Sequence, residues 1–165
     1  WNTNLEHRAI FLGIESLAGY ALTSLRLLVI QDRSERQMLF SGSWMEYEES
    51  AVACPIMYEG RVAGCLLVSS TQPHYFLPFR QQLIQNYADL MVLAFDSAEF
   101  YAPHDIQLHP MLPPEVQVSH FAHLRQRISD VMVESYKKQR PINVLEAEQV
   151  VWQQLEKEFL QLPPP

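Results

Sequence analysis

Residues 50–70, SAVACPIMYEGRVAGCLLVSS, constrain this chain more than any other stretch. Two runs within it, 51–58 and 61–70, are apolar on both alternating faces, whereas a strand with one solvated face alternates apolar and polar. Both runs therefore need cover on both sides. Glu59-Gly60 is the turn signal between them, and it makes the pair a hairpin. A two-residue loop sets Met57 opposite Val62, Pro55 opposite Gly64 and Cys54 opposite Cys65, while a bulged turn shifts every pair by one. Gly64 reads as a packing glycine, where a side chain would meet a helix or the partner strand.

The flanking segments supply candidates for that cover. Residues 4–22 place Leu5, Ile10, Ile14, Leu17 and Ala21 near one helical face. Gly13 and Gly19 weigh against a helix there, each costing roughly 1 kcal/mol relative to Ala. SLRLLVIQD (24–32) reads as a buried strand, QMLFSGSW (37–44) as its hairpin partner, and MEYEES as an acidic loop. From 79 to 101 the apolar set Leu83, Ile84, Tyr87, Ala88, Met91, Ala94, Phe95, Ala98 and Tyr101 follows i, i+3, i+4, i+7 spacing and predicts a long helix.

A Pro-punctuated connector, APHDIQLHPMLPPE, separates this helix from the C-terminal segment. Two more helices are predicted, over 115–138 (Phe121, Leu124, Ile128, Val131, Met132) and 143–161 (Ala147, Val151, Leu155, Phe159). Asn143 and Glu146 have the spacing of a capping box, and Pro141 marks the break between the helices. The organisation expected is a domain over 1–102 and a connector with a two-helix extension over 103–165.

Composition excludes some function classes. The chain of 165 residues is 48% hydrophobic and carries a net charge of −7. That balance argues against a nucleic-acid partner, which would require a clustered basic face. YKKQR (136–140) is too short to reverse it and suits the last turn of a helix. No run of 18 apolar residues is present, so no membrane insertion is expected. Two cysteines do not make a disulfide scaffold, and a reducing cytoplasm is the expected compartment. Trp1 stands where an initiator Met would, which suggests a piece of a longer chain with other domains.

The order helix, hairpin, acidic loop, hairpin, long helix resembles the GAF domain family. The residues that carry the likeness are Pro55 on the first strand of the second hairpin and Val62-Ala63-Gly64-Cys65-Leu66 on its second. Tyr75-Phe76 in the following loop and the helix over 79–101 complete it. The resemblance implies an α+β fold: a central antiparallel sheet with helices packed on one face, plus the C-terminal helical extension. It also implies a sensory or regulatory module that binds a small molecule or dimerises. Trp44 and Tyr47 would then belong to the roof of a ligand pocket, and Cys54, Ile56, Cys65 and Leu67 to its floor. The roof segment, SGSWMEYEES, is shorter than the family usually has. No cofactor is named by the sequence. The bilin-binding, cyclic-nucleotide-binding and free-methionine-sulfoxide-reducing members each need motifs or cysteine arrangements that this chain lacks.

The residues themselves argue for no catalysis. Cys54 and Cys65 could form a redox pair, but buried Cys more often serves as a small hydrophobe. His104, His109, His120 and His123 lack the tight cluster that zinc requires. No Gly-x-Ser-x-Gly elbow or phosphate loop occurs, and Glu46, Glu48 and Glu49 read as a solvated rim. The expectation is a non-catalytic sensory module that forms a homodimer through its C-terminal helices. Its rivals are a ligand-free dimerisation scaffold of the same fold and, more distantly, a thiol-dependent redox enzyme.

Overall fold

The computed structural model describes residues 11–35, 48–112 and 114–161. They form two compact units, one of Leu12–Pro110 and the other containing Phe11 and the residues from Met111 on. The unit boundary therefore falls after Pro110 and not after residue 102. Backbone bonds explain this: Tyr101 exchanges two with Val62, and Ile14 N–H donates to the His109 carbonyl at 3.2 Å, which ties the connector to the sheet unit.

The sheet unit is α+β, with strands β1 (Leu28–Ile30), β2 (Ser50–Tyr58) and β3 (Arg61–Ser70) in antiparallel order β1-β2-β3. Glu59 and Gly60 both have positive φ, 49° and 75°, the twist that a two-residue hairpin loop requires. Near the turn the pairing is Tyr58 with Arg61 and Met57 with Val62, as a two-residue loop dictates. Past that point Ile56 faces Gly64, Pro55 faces Cys65 and Cys54 faces Leu66. Ala63 is thus the extra residue of a β-bulge, and it slides the rest of β3 by one position. The expected pairs Pro55–Gly64 and Cys54–Cys65 are both displaced by it. Pro55 lies beyond the Ala51–Ala53 stretch that pairs with β1, so its missing N–H removes no bond to that strand.

Helices cover both faces of this sheet. Leu17 and Ala21 of α1 (Leu17–Ser24) pack with Ile30, Ala51 and Ala53, joined by Leu28 and Cys65. Ala88, Ile84 and Met91 of α2 (Pro78–Met91) pack with Cys54, Ile56 and Leu66. Because neighbouring strand residues point to opposite faces, Ala53 and Cys54 assign the two helices to opposite sides. The expected layering, helices on one face only, is corrected accordingly. The long helix expected to 101 stops at Met91 and continues as 3₁₀ turns at Val92–Ala94, Ser97–Glu99 and Pro103–Asp105. The strand expected over 37–44 lies outside the described residues.

Two glycines take roles opposite to those their sequence contexts suggest. Gly19, which counted against a helix, is the residue that lets α1 start where it does. Ser16 caps the helix by accepting from Gly19 N–H at 3.0 Å while its hydroxyl donates to the Gly13 carbonyl at 2.7 Å. That folds the Gly13 carbonyl over Gly19, where a Cβ would stand 2.2 Å from the oxygen. Around Gly64, by contrast, a Cβ would meet nothing within 4 Å. Gly64 is not a packing glycine.

The helical unit is held by an internal core. Its helices are α3 (Pro114–Phe121), α4 (Leu124–Lys137) and α5 (Val144–Gln161). Asn143 and Glu146 close the expected capping box: Asn143 N–H donates to the Glu146 carboxylate at 3.0 Å, and Glu146 N–H to Asn143 Oδ1 at 2.9 Å. Val151, Leu155 and Phe159 of α5 are buried against Phe121, Leu124, Ile128 and Val131. The Phe11 ring enters this core, 5.4 Å from Phe159 and 5.5 Å from Trp152 in edge-on contacts. Buried Gln117 fixes Phe11 there, accepting from its N–H at 2.7 Å and donating to its carbonyl at 2.9 Å.

The two glycines separate sharply in a thermal melt. Gly19→Ala should lower stability by about 1–3 kcal/mol, the usual cost of overpacking. Gly64→Ala should be neutral or stabilising by up to roughly 1 kcal/mol, since a strand interior disfavours glycine. A Gly19→Ala protein that melts with the parent would contradict the backbone contact.

Candidate functional site

The sheet's covered core contains the two thiols, and strand alternation decides what they can do. Cys54 is fully buried beneath α2, with its S–H directed to Gln85 Oε1 at 3.2 Å. Gln85 in turn donates to Asp89 Oδ1 at 3.1 Å. Burial pushes the Cys54 thiol up to about 11, and the Asp89 carboxylate adds to that shift. Cys65 belongs to the opposite face, in the cluster with α1, and burial followed by repulsion from Cys54 raises it to about 11 as well. Both are free thiols. Since the thiolate is the nucleophile, neither group is activated at neutral pH.

The positions expected to floor one pocket are split between the two faces. Cys54 and Ile56 come together under α2, both buried. Cys65 packs with the α1 cluster, and Leu67, opposite Ala53 on the same face, is 43% exposed. The four do not surround a common space, because β3's bulge and the strand alternation put two on each side. Trp44 and Tyr47 lie outside the described residues.

The Tyr75-Phe76 loop carries one partly exposed and one buried ring. Phe76 is buried, and its carbonyl accepts from the Gln31 amide at 3.0 Å and the Gln81 amide at 2.7 Å. Tyr75 receives the Arg80 guanidinium over its ring at 3.8 Å, while Arg80 also donates to the Tyr75 carbonyl at 2.7 Å. Arg80 therefore turns toward the loop.

The histidines occupy separate structural niches. His120 stacks edge-on against Phe159 at 4.9 Å and approaches Glu158 at 3.9 Å. Arg127 bonds the same Glu158 at 2.8 Å and, as the main cause, holds its carboxyl below the ordinary carboxylate range. His104 faces its neighbour Asp105. Among the described residues no three His, Cys, Asp or Glu side chains are grouped to hold a metal ion. A shallow groove of about 440 Å³ runs along α5, lined by Phe11, Leu145 and Trp152 with Glu148 and Glu156 at its polar side.

The feature that the sequence pattern concealed is the outer face of α2. Its inner face is Ile84, Ala88 and Met91, but Phe79, Leu83, Tyr87, Leu90 and the following Leu93 are all exposed. Leu83 and Tyr87 form one i, i+4 pair and Ile84 and Ala88 another, one residue on, so reading them as one merged apolar set hides two stripes. Separating 79/83/87/90 from 84/88/91/95 would have found them.

No family model matches this chain, and no curated protein does. A solved structure described as a type II free methionine-R-sulfoxide reductase from Thermoplasma acidophilum matches with a TM-score of 0.47 and 21% identity. The match covers 59% of this chain and 65% of that one, just under two thirds of its length. The expectation of a non-catalytic sensory or signalling module is corrected by this finding. The sensory reading rested on the family resemblance and the exclusion of catalysis on missing motifs, whereas the matched structure carries an enzyme's description. No described helix is long and apolar enough to cross a membrane.

The thiol chemistry is testable by alkylation. At pH 8 each native thiol should react about a hundredfold more slowly than an ordinary one, because raising the pKa by about two units removes that share of thiolate. Denaturant should release two reactive thiols per chain. The raised folded values also mean that the thiols contribute stability below the unfolded pKa, near 9, and lose it as pH climbs through about 11. Rapid native labelling of Cys54 at pH 8 would contradict its environment.

Proposed function

We propose that the sheet unit is a GAF-like domain whose function is assembly, joining copies of its own chain. One observation carries the reading: both faces of the sheet are already filled by helices of the same unit, yet α2 leaves a second apolar face in solvent. Contiguous apolar patches beyond a few hundred Å² are rare on monomers and mark interaction sites. The C-terminal helices, the contact expected from sequence, have spent their main stripe differently. Val151, Leu155 and Phe159 are buried inside the helical unit around Phe11. Self-association in a closed two-fold arrangement is the commonest way for identical chains to cover such a face.

The thiols support a packing role within this scaffold. They are small, buried and protonated, each completing the apolar layer on its own side of the sheet. Light scattering at concentrations of about 10–100 µM should report twice the mass of one chain, which corresponds to a modest interface free energy. A single-chain mass at the upper end of that range would remove the assembly reading.

A further inference from the structure

We infer that the contact between the two copies is the outer face of α2, with Leu83 and Leu90 at its centre. The inference rests on the assembly reading and adds the surface to it. Phe79 is 78% exposed, Leu83 43%, Tyr87 54%, Leu90 62% and Leu93 84%. Their spacing of four, four, three and three residues keeps them on one side of the helix, turned away from Ile84, Ala88 and Met91, which hold the sheet. This is the spacing of a helix–helix seam: one helix presents two ridges, the inner for its own sheet and the outer for a partner helix.

Area favours a second copy as the occupant. Five residues of this size, exposed to this extent, offer at most roughly 600 Å² of surface per copy, most of it apolar. Two copies meeting there bury up to about 1,200 Å², at the lower bound of stable, specific interfaces. Charge favours it too. The two ionic side chains of α2 are engaged elsewhere, Arg80 on Tyr75 and Asp89 with Gln85. Asn86, seven residues after Phe79 and four before Leu90, is a neutral amide within the stripe, and Gln82 beside it donates to its Oδ1 at 3.1 Å. A face with no net charge meets its own image without like-charge repulsion, which a strongly charged rim would have imposed.

The test uses the full chain. Leu83→Glu and Leu93→Glu should each convert the dimer to a monomer, weakening association by at least about a hundredfold, while far-UV circular dichroism and the melting of the monomer stay as in the parent. Leu93 lies just past the helix and is the more exposed, so its variant reports on the contact even where Leu83→Glu disturbs folding. Leu145→Glu and Val133→Glu, on exposed positions of the helical unit, should leave the dimer intact. A chain that still dimerises normally with Leu93→Glu and Leu83→Glu in place, or that falls apart with Leu145→Glu, overturns the α2 contact while leaving assembly standing. A parent that is monomeric at about 100 µM overturns both.

Discussion

Burial of β2 from both sides is the constraint on which the rest of the sheet unit depends. Ser50–Ile56 is inaccessible throughout, with Ala51 and Ala53 against α1 and Cys54 and Ile56 against α2. Such a strand cannot exist in water by itself, since each face exposes apolar surface worth about 25 cal/mol per Å² when removed from solvent. It requires a helix on each side, and the small residues Ala51, Ala53 and Cys54 allow those helices to approach closely. Gly19 serves the same closeness on the α1 side, where the chain before the helix crosses directly over its backbone.

The bulge at Ala63 is the second determinant, because it sets which side chain meets which. Without it Cys54 and Cys65 would be direct partners across the hairpin. With it, Cys65 faces Pro55, and the two sulfurs serve opposite layers of the domain. The same displacement disperses the positions that would have lined a single pocket. Each thiol then experiences mainly desolvation, which favours the neutral form. The environment of these cysteines is that of core hydrophobes, and an activated nucleophile would need a cation or a helix N-terminus beside it.

The helical unit solves a different problem. Three short helices with one apolar stripe each would be marginal alone. Phe11, distant in sequence, fills the space between Phe121, Trp152 and Phe159, and Gln117 satisfies its backbone on both sides. That aromatic insertion turns an exposed stripe into an internal core and frees the unit from needing a partner for it. The apolar face left in solvent is consequently on α2, where the inner ridge is occupied and no chain segment among the described residues occupies the outer one.

Local chemistry was legible in the sequence wherever it acts within a few residues. Continuous apolar runs, the Glu59-Gly60 turn, the Asn143–Glu146 capping box and the α+β class all depend on neighbours along the chain, and each is present in the structure. Tertiary structure decided what depends on distant partners. Gly19 and Gly64 are the same residue type, yet one is crowded by a backbone carbonyl and the other has open space, a difference no local pattern encodes. The bulge at Ala63, the insertion of Phe11 and the division of α2 into an inner and an outer ridge come likewise from which surfaces meet. A residue's type sets how much it gains by burial, but only the packed fold determines which of several apolar faces is buried and which is left in water.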